Sequence, residues 1–482
     1  MRVLLAAALL ALVLAGCVSP SNLTPAATTS TAELPKLLAY DALGNATALP
    51  TEFASLNFTE VMMKSRGGEP NIGVTPKGNV FEIAGANTMR SKDHGKTWEI
   101  VFNLTAAFPA QVQSTPLSGY TRSSDPMLWV DPDTGRVFAD HMTSTLCSNM
   151  IWSDDEGATW TMKPMTCGIP SNDHQKVMTA HWHGPAPKPA DMVYPNVVYY
   201  CYNKDVATDC AVSLDGGMDF AYDRPVAIAP VDGCGGINGH PAAAPDGTVF
   251  VPINLGCDGP VVGVSEDNGL TWTVQHGPKV HGAEEIDPDI TVTPDGTAYM
   301  LYRGGDHIPY LVRSKDHFQT WEGPWRVAPA DVKSSVFTVI TSGDNGRIAM
   351  AYLANRDTTE TPSKAPNATR WQMFVTYSFD AAAKDPTFVT TQATPDADPV
   401  QIGCVWLDGG SNPCRNMLDF IDMAHDADGR VFVAFTDGCT EGCADNPAAT
   451  NDTSHHRDGA VLVLDAGPSL FAAKPPLARV TG

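Results

Sequence analysis

The chain has 482 residues, a formal charge of −23 and 43% hydrophobic residues. So acidic a surface disfavours nucleic acid and anionic membranes as partners, and it opposes the capture of an anionic sugar unless positive charge is gathered locally. The apolar share is enough to bury a large core.

Taken in chain order, residues 1–17 read as a lipoprotein signal peptide. Arg2 precedes an apolar run, and Leu14-Ala15-Gly16-Cys17 places small residues just before the cysteine. The run is short for a permanent membrane span, so cleavage is expected, with Cys17 as the lipidated N-terminus at the outer face of the cell membrane. An ordinary secreted protein is the alternative. Residues 18–50, rich in Thr, Ala, Pro and Ser without apolar periodicity, read as a flexible linker, and residues 51–482 as one domain. Sequons at Asn22, Asn45, Asn57, Asn103, Asn367 and Asn451 favour a glycosylated cell-surface protein.

From residue 71 onward, an apolar strand, a Pro/Asp-Gly turn and a second apolar strand recur, first in Asn71-Ile-Gly-Val-Thr-Pro-Lys-Gly-Asn-Val-Phe81 and last in 420–432. Short strands joined by such turns are hairpins, and near-continuous apolar runs suit strands buried on both faces. Seven such units can be counted. A six-unit count stays open if the long 357–370 and 395–416 segments are excursions. The last unit lacks a convincing fourth strand, which residues 58–64 can supply to close a ring without a free edge.

An octapeptide follows most of these hairpins: Ser91-Lys-Asp93-His-Gly95-Lys-Thr97-Trp98, then copies beginning at Ser153, Ser213, Ser265 and Ser314, with a decayed one at Ser378-Phe379-Asp380. In each, an Asp carboxylate can accept backbone N–H groups inside a turn, Gly provides a left-handed position and Trp leaves to be buried. The copies lie roughly 50–60 residues apart, about one four-stranded sheet. These octapeptides resemble the Asp boxes, or BNR repeats, of the sialidase-like superfamily. The resemblance implies an all-β fold, a β-propeller of four-stranded antiparallel blades, with the boxes between third and fourth strands on the face opposite the active site.

After Cys17 the cysteines fall in close pairs, Cys147/Cys167, Cys201/Cys210, Cys234/Cys257, Cys404/Cys414 and Cys439/Cys443. Local disulfides in an oxidising compartment are the expectation, since no C-x-x-C pair with partner histidines marks a zinc site. His181 and His183 alternate on one strand and so could share a metal, but the proline-rich loop beside them is also an ordinary place for exposed histidines.

In a propeller, the starts of the inner strands and the loops after the second strands open on one face around the axis. Those positions place Glu69, Asp125, Asp173, His174, His240, Glu285, Asp287 and Asp419 at the starts, and Asn254, Arg303, Arg356 and Asp437 at the loops. Such residues either cap strands or form a ligand or cation site where blades converge, with no cofactor required and calcium as the candidate ion. Superfamily sialidases hold a substrate carboxylate with three arginines and use a Tyr–Glu nucleophile and an Asp acid/base. Arg303 and Arg356, with Arg122 and Arg415, are the arginines available here. Tyr302 or Tyr310 with Glu284 or Glu285 would form the nucleophile, and Asp125 the acid. Where the family carries Arg-Ile-Pro before the first blade, this chain reads Glu69-Pro70-Asn71. A non-catalytic protein binding an extracellular glycan or polymer, acting as a monomer, is therefore favoured over an exo-acting glycoside hydrolase of exo-alpha-sialidase type.

Overall fold

The structure is a computed structural model that describes residues 37–65, 68–107, 124–143, 147–167, 172–204, 206–253, 257–283, 287–410, 412–440, 443–445 and 457–479. Seven antiparallel sheets stand around one axis. The first blade runs Asn71–Val74, Val80–Ala84, Asn87–Ser91 and Glu99–Asn103 from the axis outward, and the next four repeat that order. Each inner strand touches the inner strand of the following blade, and the seventh touches the first, so the ring is closed.

Closure uses the start of the chain. Asn57–Met62 pairs antiparallel with Asp458–Ala466 and completes the sheet begun by Asp422–His425 and Val431–Asp437, so the expected closing strand is present. The sixth blade is wider. Leu38–Tyr40 pairs with Phe388–Gln392, and Tyr40 is buried with its hydroxyl donating to the Val327 carbonyl of the fifth blade. Residues 37–50, expected as part of a linker, are therefore ordered chain attached to the propeller. Apolar Leu38 and Tyr40, packed on the core between blades five and six, are the reason. Residues 1–36, including Cys17, lie outside the described residues.

The Asp boxes are turns between third and fourth strands. In the first, Ser91 donates to Asp93 (2.7 Å) and accepts from the Gly95 N–H (2.8 Å), while Asp93 accepts from the Thr97 N–H (2.9 Å) and hydroxyl (2.7 Å). The Ser-to-Asp and Ser-to-backbone bonds recur at Ser153, Ser213, Ser265 and Ser314. In the fifth box Phe318 takes the place of Gly with φ 61°, held by burial against Phe250 and Trp321. The decayed sixth box keeps its Ser378–Asp380 bond at 3.0 Å.

Second strands such as Val249–Ile253 and Ile348–Asn355 are buried throughout because both of their faces meet neighbouring blades. Four of the expected disulfides are formed: Cys201–Cys210, Cys234–Cys257, Cys404–Cys414 and Cys439–Cys443. The backbone register sets Cys147 opposite Cys167, but their side chains lie outside the described residues.

Candidate functional site at the channel mouth

The starts of the inner strands carry a shared backbone feature. Glu69, Asp125 and His174, each three residues ahead of a core position (Ile72, Leu128, Val177), have φ of 56°, 42° and 47°. A left-handed conformation in a non-glycine residue is held only where the surroundings impose it. Register shifts at Ser124/Met127 and Asp173/Lys176 mark the bulges that produce it.

Asp125 is the hub of the group these bulges assemble. Its backbone N–H donates to Glu69 Oε2 (3.1 Å), and its Oδ2 accepts from the His174 N–H (3.2 Å). The carboxyls of Glu69 and Asp173 both come within hydrogen-bonding reach of its own. Arg415 pairs with Asp419 and lies 3.9 Å from Glu69 Oε1. His174 Nδ1 lies 3.0 Å from Asp287 Oδ2, and Lys176 Nζ lies 3.0 Å from Asp287 Oδ1, an ion pair without the angles of a hydrogen bond. Lys176 also stands over the Phe420 ring at 4.0 Å. Glu69, Asp125, His174, Lys176, Asp287 and Asp419 are all at least nine-tenths buried.

Burial sets the titration of the group, and neighbouring charges then divide it. Burial and the Asp125 charge push Asp173 up to about 7, and burial with Asp125 and Asp419 raises Glu69 well above the carboxylate range. Burial acts on Asp125 in the same direction, yet the His174 charge and hydrogen bonds hold it below its ordinary value. His174 is opposed by burial, but Asp287 carries it up to about 10. The shifts thus run in opposite directions, down for Asp125 and up for Glu69 and Asp173 on either side of it.

Below the mouth the axis opens into a channel of about 670 Å³ that reaches the face of the first hairpin turns. Lys176, His240, Asp289 and Asp422 line it. Asp422 Oδ2 accepts the Ile72 N–H (2.9 Å) and Asp289 Oδ2 accepts the Ile340 N–H (2.8 Å), so each ties its blade to the next. Burial raises Asp422 to about 7 and lowers His240 to about 3.

The predicted residues divide accordingly. Glu69, Asp125, Asp173, His174, Asp287 and Asp419 are brought together at the mouth. His240 lies with Asp422, its Nδ1 3.5 Å from Oδ1. Asp437 is elsewhere, sharing its surroundings with Glu60, Asp398 and Asp458. Glu284, Glu285, Asn254 and Arg122 lie outside the described residues.

Three of the four arginines expected at the site are described, and each engages a different partner: Arg303 is buried against His307 (3.0 Å), Arg356 pairs with Asp331 (2.7 Å), and Arg415 pairs with Asp419. Tyr302 is fully buried between blades, and its hydroxyl has no hydrogen-bond partner among the described residues. His181 pairs with Asp133 (2.9 Å), and His183 stands 3.4 Å from the Thr248 hydroxyl. Lys176, Asp289 and Asp422 were not anticipated. Their signal is a charged residue at or near the start of an inner strand, just ahead of its apolar positions.

Residues 195–394 match the family described as BNR repeat-like domain. No curated protein sequence matches the chain. Among solved structures, it is similar to the intramolecular trans-sialidase of Ruminococcus gnavus at 15% identity, covering 81% of this chain and 93% of that one, with a TM-score of 0.38. It is similar to the Aleuria aurantia lectin at 10% identity, covering 70% and 99%, with a TM-score of 0.41. A third likeness is to the alpha-l-arabinofuranosidase arb93a of Fusarium graminearum, at 12% identity, 68% and 94% coverage and a TM-score of 0.40. Likenesses this distant carry neither ligand nor activity to this chain. The seven sheets around one axis make the chain a seven-bladed β-propeller, and less than half of it, residues 195–394, is similar to the BNR repeat-like family.

Proposed function

We propose that this is an exported, lipid-anchored propeller that binds a neutral or cationic segment of an extracellular glycan or polymer at the channel mouth. The observation that carries this reading is the split of the arginines. A carboxylate clamp needs guanidinium groups aimed at one point, whereas Arg303, Arg356 and Arg415 are each committed to a different partner. The mouth instead offers carboxyl groups flanked by Arg415, a set suited to hydroxyl or ammonium donors rather than to a sialic acid.

A second reading has its own support. Asp173 is raised to about 7 while Asp125 beside it is lowered, and two carboxyls whose environments drive them apart suit an acid and a charged partner in glycoside hydrolysis.

A glycan array probed with the protein and with Asp125→Asn, beside assays on fluorogenic sialosides and neutral glycosides, separates the readings. Retention on neutral or amino-sugar glycans, weakened at least ~10-fold by the substitution and without turnover, is the expected result. Turnover of a neutral glycoside that Asp125→Asn abolishes would favour the second reading. Sialoside turnover lost in Arg303→Ala would overturn the first.

A further inference from the structure

We propose that the mouth holds a first-row divalent cation, such as zinc or manganese, bound by the carboxylates of Asp125 and Asp173 and by the imidazole of His174. One potential ligand atom from each of these residues lies within 4.8 Å of the others. An ion among them reaches ordinary coordination distances of ~2.1 Å once the side chains close in by less than about 1 Å.

Three observations make this more than a group of acids. The first is the orientation of the histidine. Its Nδ1 is taken by Asp287 Oδ2 at 3.0 Å, which leaves Nε2 for the ion. A carboxylate behind a metal-binding imidazole is the usual outer partner of such a ligand, fixing its tautomer and raising its basicity. Lys176 holds that carboxylate in turn from the other side.

The second is Asp419. Its Oδ2 is held by Arg415, but its Oδ1 is buried without a hydrogen-bond partner among the described residues, and its carboxylate lies within electrostatic reach of Asp125, Asp173 and His174. An unsatisfied buried carboxylate oxygen is costly unless a cation or donor meets it.

The third is charge. Glu69, Asp125, Asp173, Asp287 and Asp419 face Lys176, Arg415 and one histidine. With all carboxyls ionised the group is anionic even when the histidine is protonated, and a dication restores the balance without protonating buried acids.

Donor chemistry selects the ion. Calcium takes oxygen donors, whereas a set with one imidazole and two carboxylates suits zinc or manganese.

Tag-free protein, freed of metal by chelation, is titrated with Zn²⁺ and with Mn²⁺ by calorimetry. Asp173→Asn, His174→Gln and His181→Ala are compared, the last removing an exposed histidine remote from the mouth. The expected result is one site per chain, at least ~10-fold weaker in Asp173→Asn and His174→Gln and unchanged in His181→Ala. Pulsed electron-nuclear spectroscopy of Mn²⁺ bound to the unsubstituted protein is expected to show a coordinated imidazole nitrogen, a readout that does not depend on any variant folding. No stoichiometric binding, equal binding in all variants, calcium bound as tightly as manganese, or Mn²⁺ with oxygen ligands alone would each overturn the proposal.

Discussion

Asp287 carries two cations on one buried carboxylate, with His174 Nδ1 and Lys176 Nζ each 3.0 Å away. Asp287→Asn leaves both buried cations without their counter-charge. Breaking a buried pair from one side costs about 3–5 kcal/mol, so the urea midpoint of this variant is expected to fall by an amount of that order. The same contacts set a pH window. Burial opposes ionisation of Asp287, but Lys176 and His174 hold it below its ordinary 3.8. Its contribution is therefore present above about pH 4 and lost as pH falls through the depressed value. His174 is raised from 6.5 to about 10, so its contribution is complete below about pH 6.5 and lost as pH rises through about 10. Thermal midpoints of metal-free protein measured from pH 4 to 10.5 should decline on the alkaline side, and Asp287→Asn should remove that decline. A midpoint that stays level to pH 10.5 in the unsubstituted protein would show that His174 gains nothing from the pair.

At the level of elements, the fourth and fifth blades approach closely beside the mouth. A Cβ on Gly239 would lie 1.8 Å from the Pro288 carbonyl oxygen, a backbone atom that cannot swing aside. At this point the His240 N–H donates to that same oxygen (3.0 Å) and residues 240 and 289 form a parallel bridge. Gly239→Ala must therefore push the fourth and fifth blades apart, and overpacking of this kind costs about 1–3 kcal/mol. Because Asp287 and Asp289 flank Pro288, the variant is also expected to weaken whatever the mouth binds. Unchanged stability would show that the two blades can separate without loss. Gly296→Ala is the fitting comparison: it shares a left-handed requirement at φ 84° but has open space around the new atom, so it should destabilise without touching the mouth.

Across the whole molecule, the ring is held shut by one strand from each end of the chain. Asn57–Met62 covers the outer edge of the last blade, an edge that would otherwise present unpaired backbone groups. Protein lacking residues 1–64 should have a lower thermal midpoint and should self-associate with rising concentration in sedimentation velocity, since an open edge pairs with another copy. A truncated protein that stays monomeric with an unchanged midpoint would mean that closure adds no stability. The residues of the mouth share one axis only while this ring is shut, so the truncation should also disperse the acidic group.

The periodic octapeptides, the alternation of apolar strands with Asp-Gly turns and the close cysteine pairs are local properties, and local properties can be read along a chain. They yielded the blades, the turn chemistry, the closing strand and four disulfides. The acids at the starts of the inner strands were also legible, because a repeat assigns equivalent places to residues far apart in the chain. Other features had no local signature. Arg303, Arg356 and Arg415 occupy loop positions that look alike in sequence, and only side-chain packing sends each to a different partner. Lys176 and Asp287 are separated by a whole blade, so their pairing exists only once the inner strands converge. Asp437, one residue type among many acids, joins Glu60 rather than the mouth because it faces the strand that closes the ring. Blade identity follows from short-range hydrogen bonding and hydrophobic alternation, whereas charge pairing at the axis depends on distances that come into being when the ring closes.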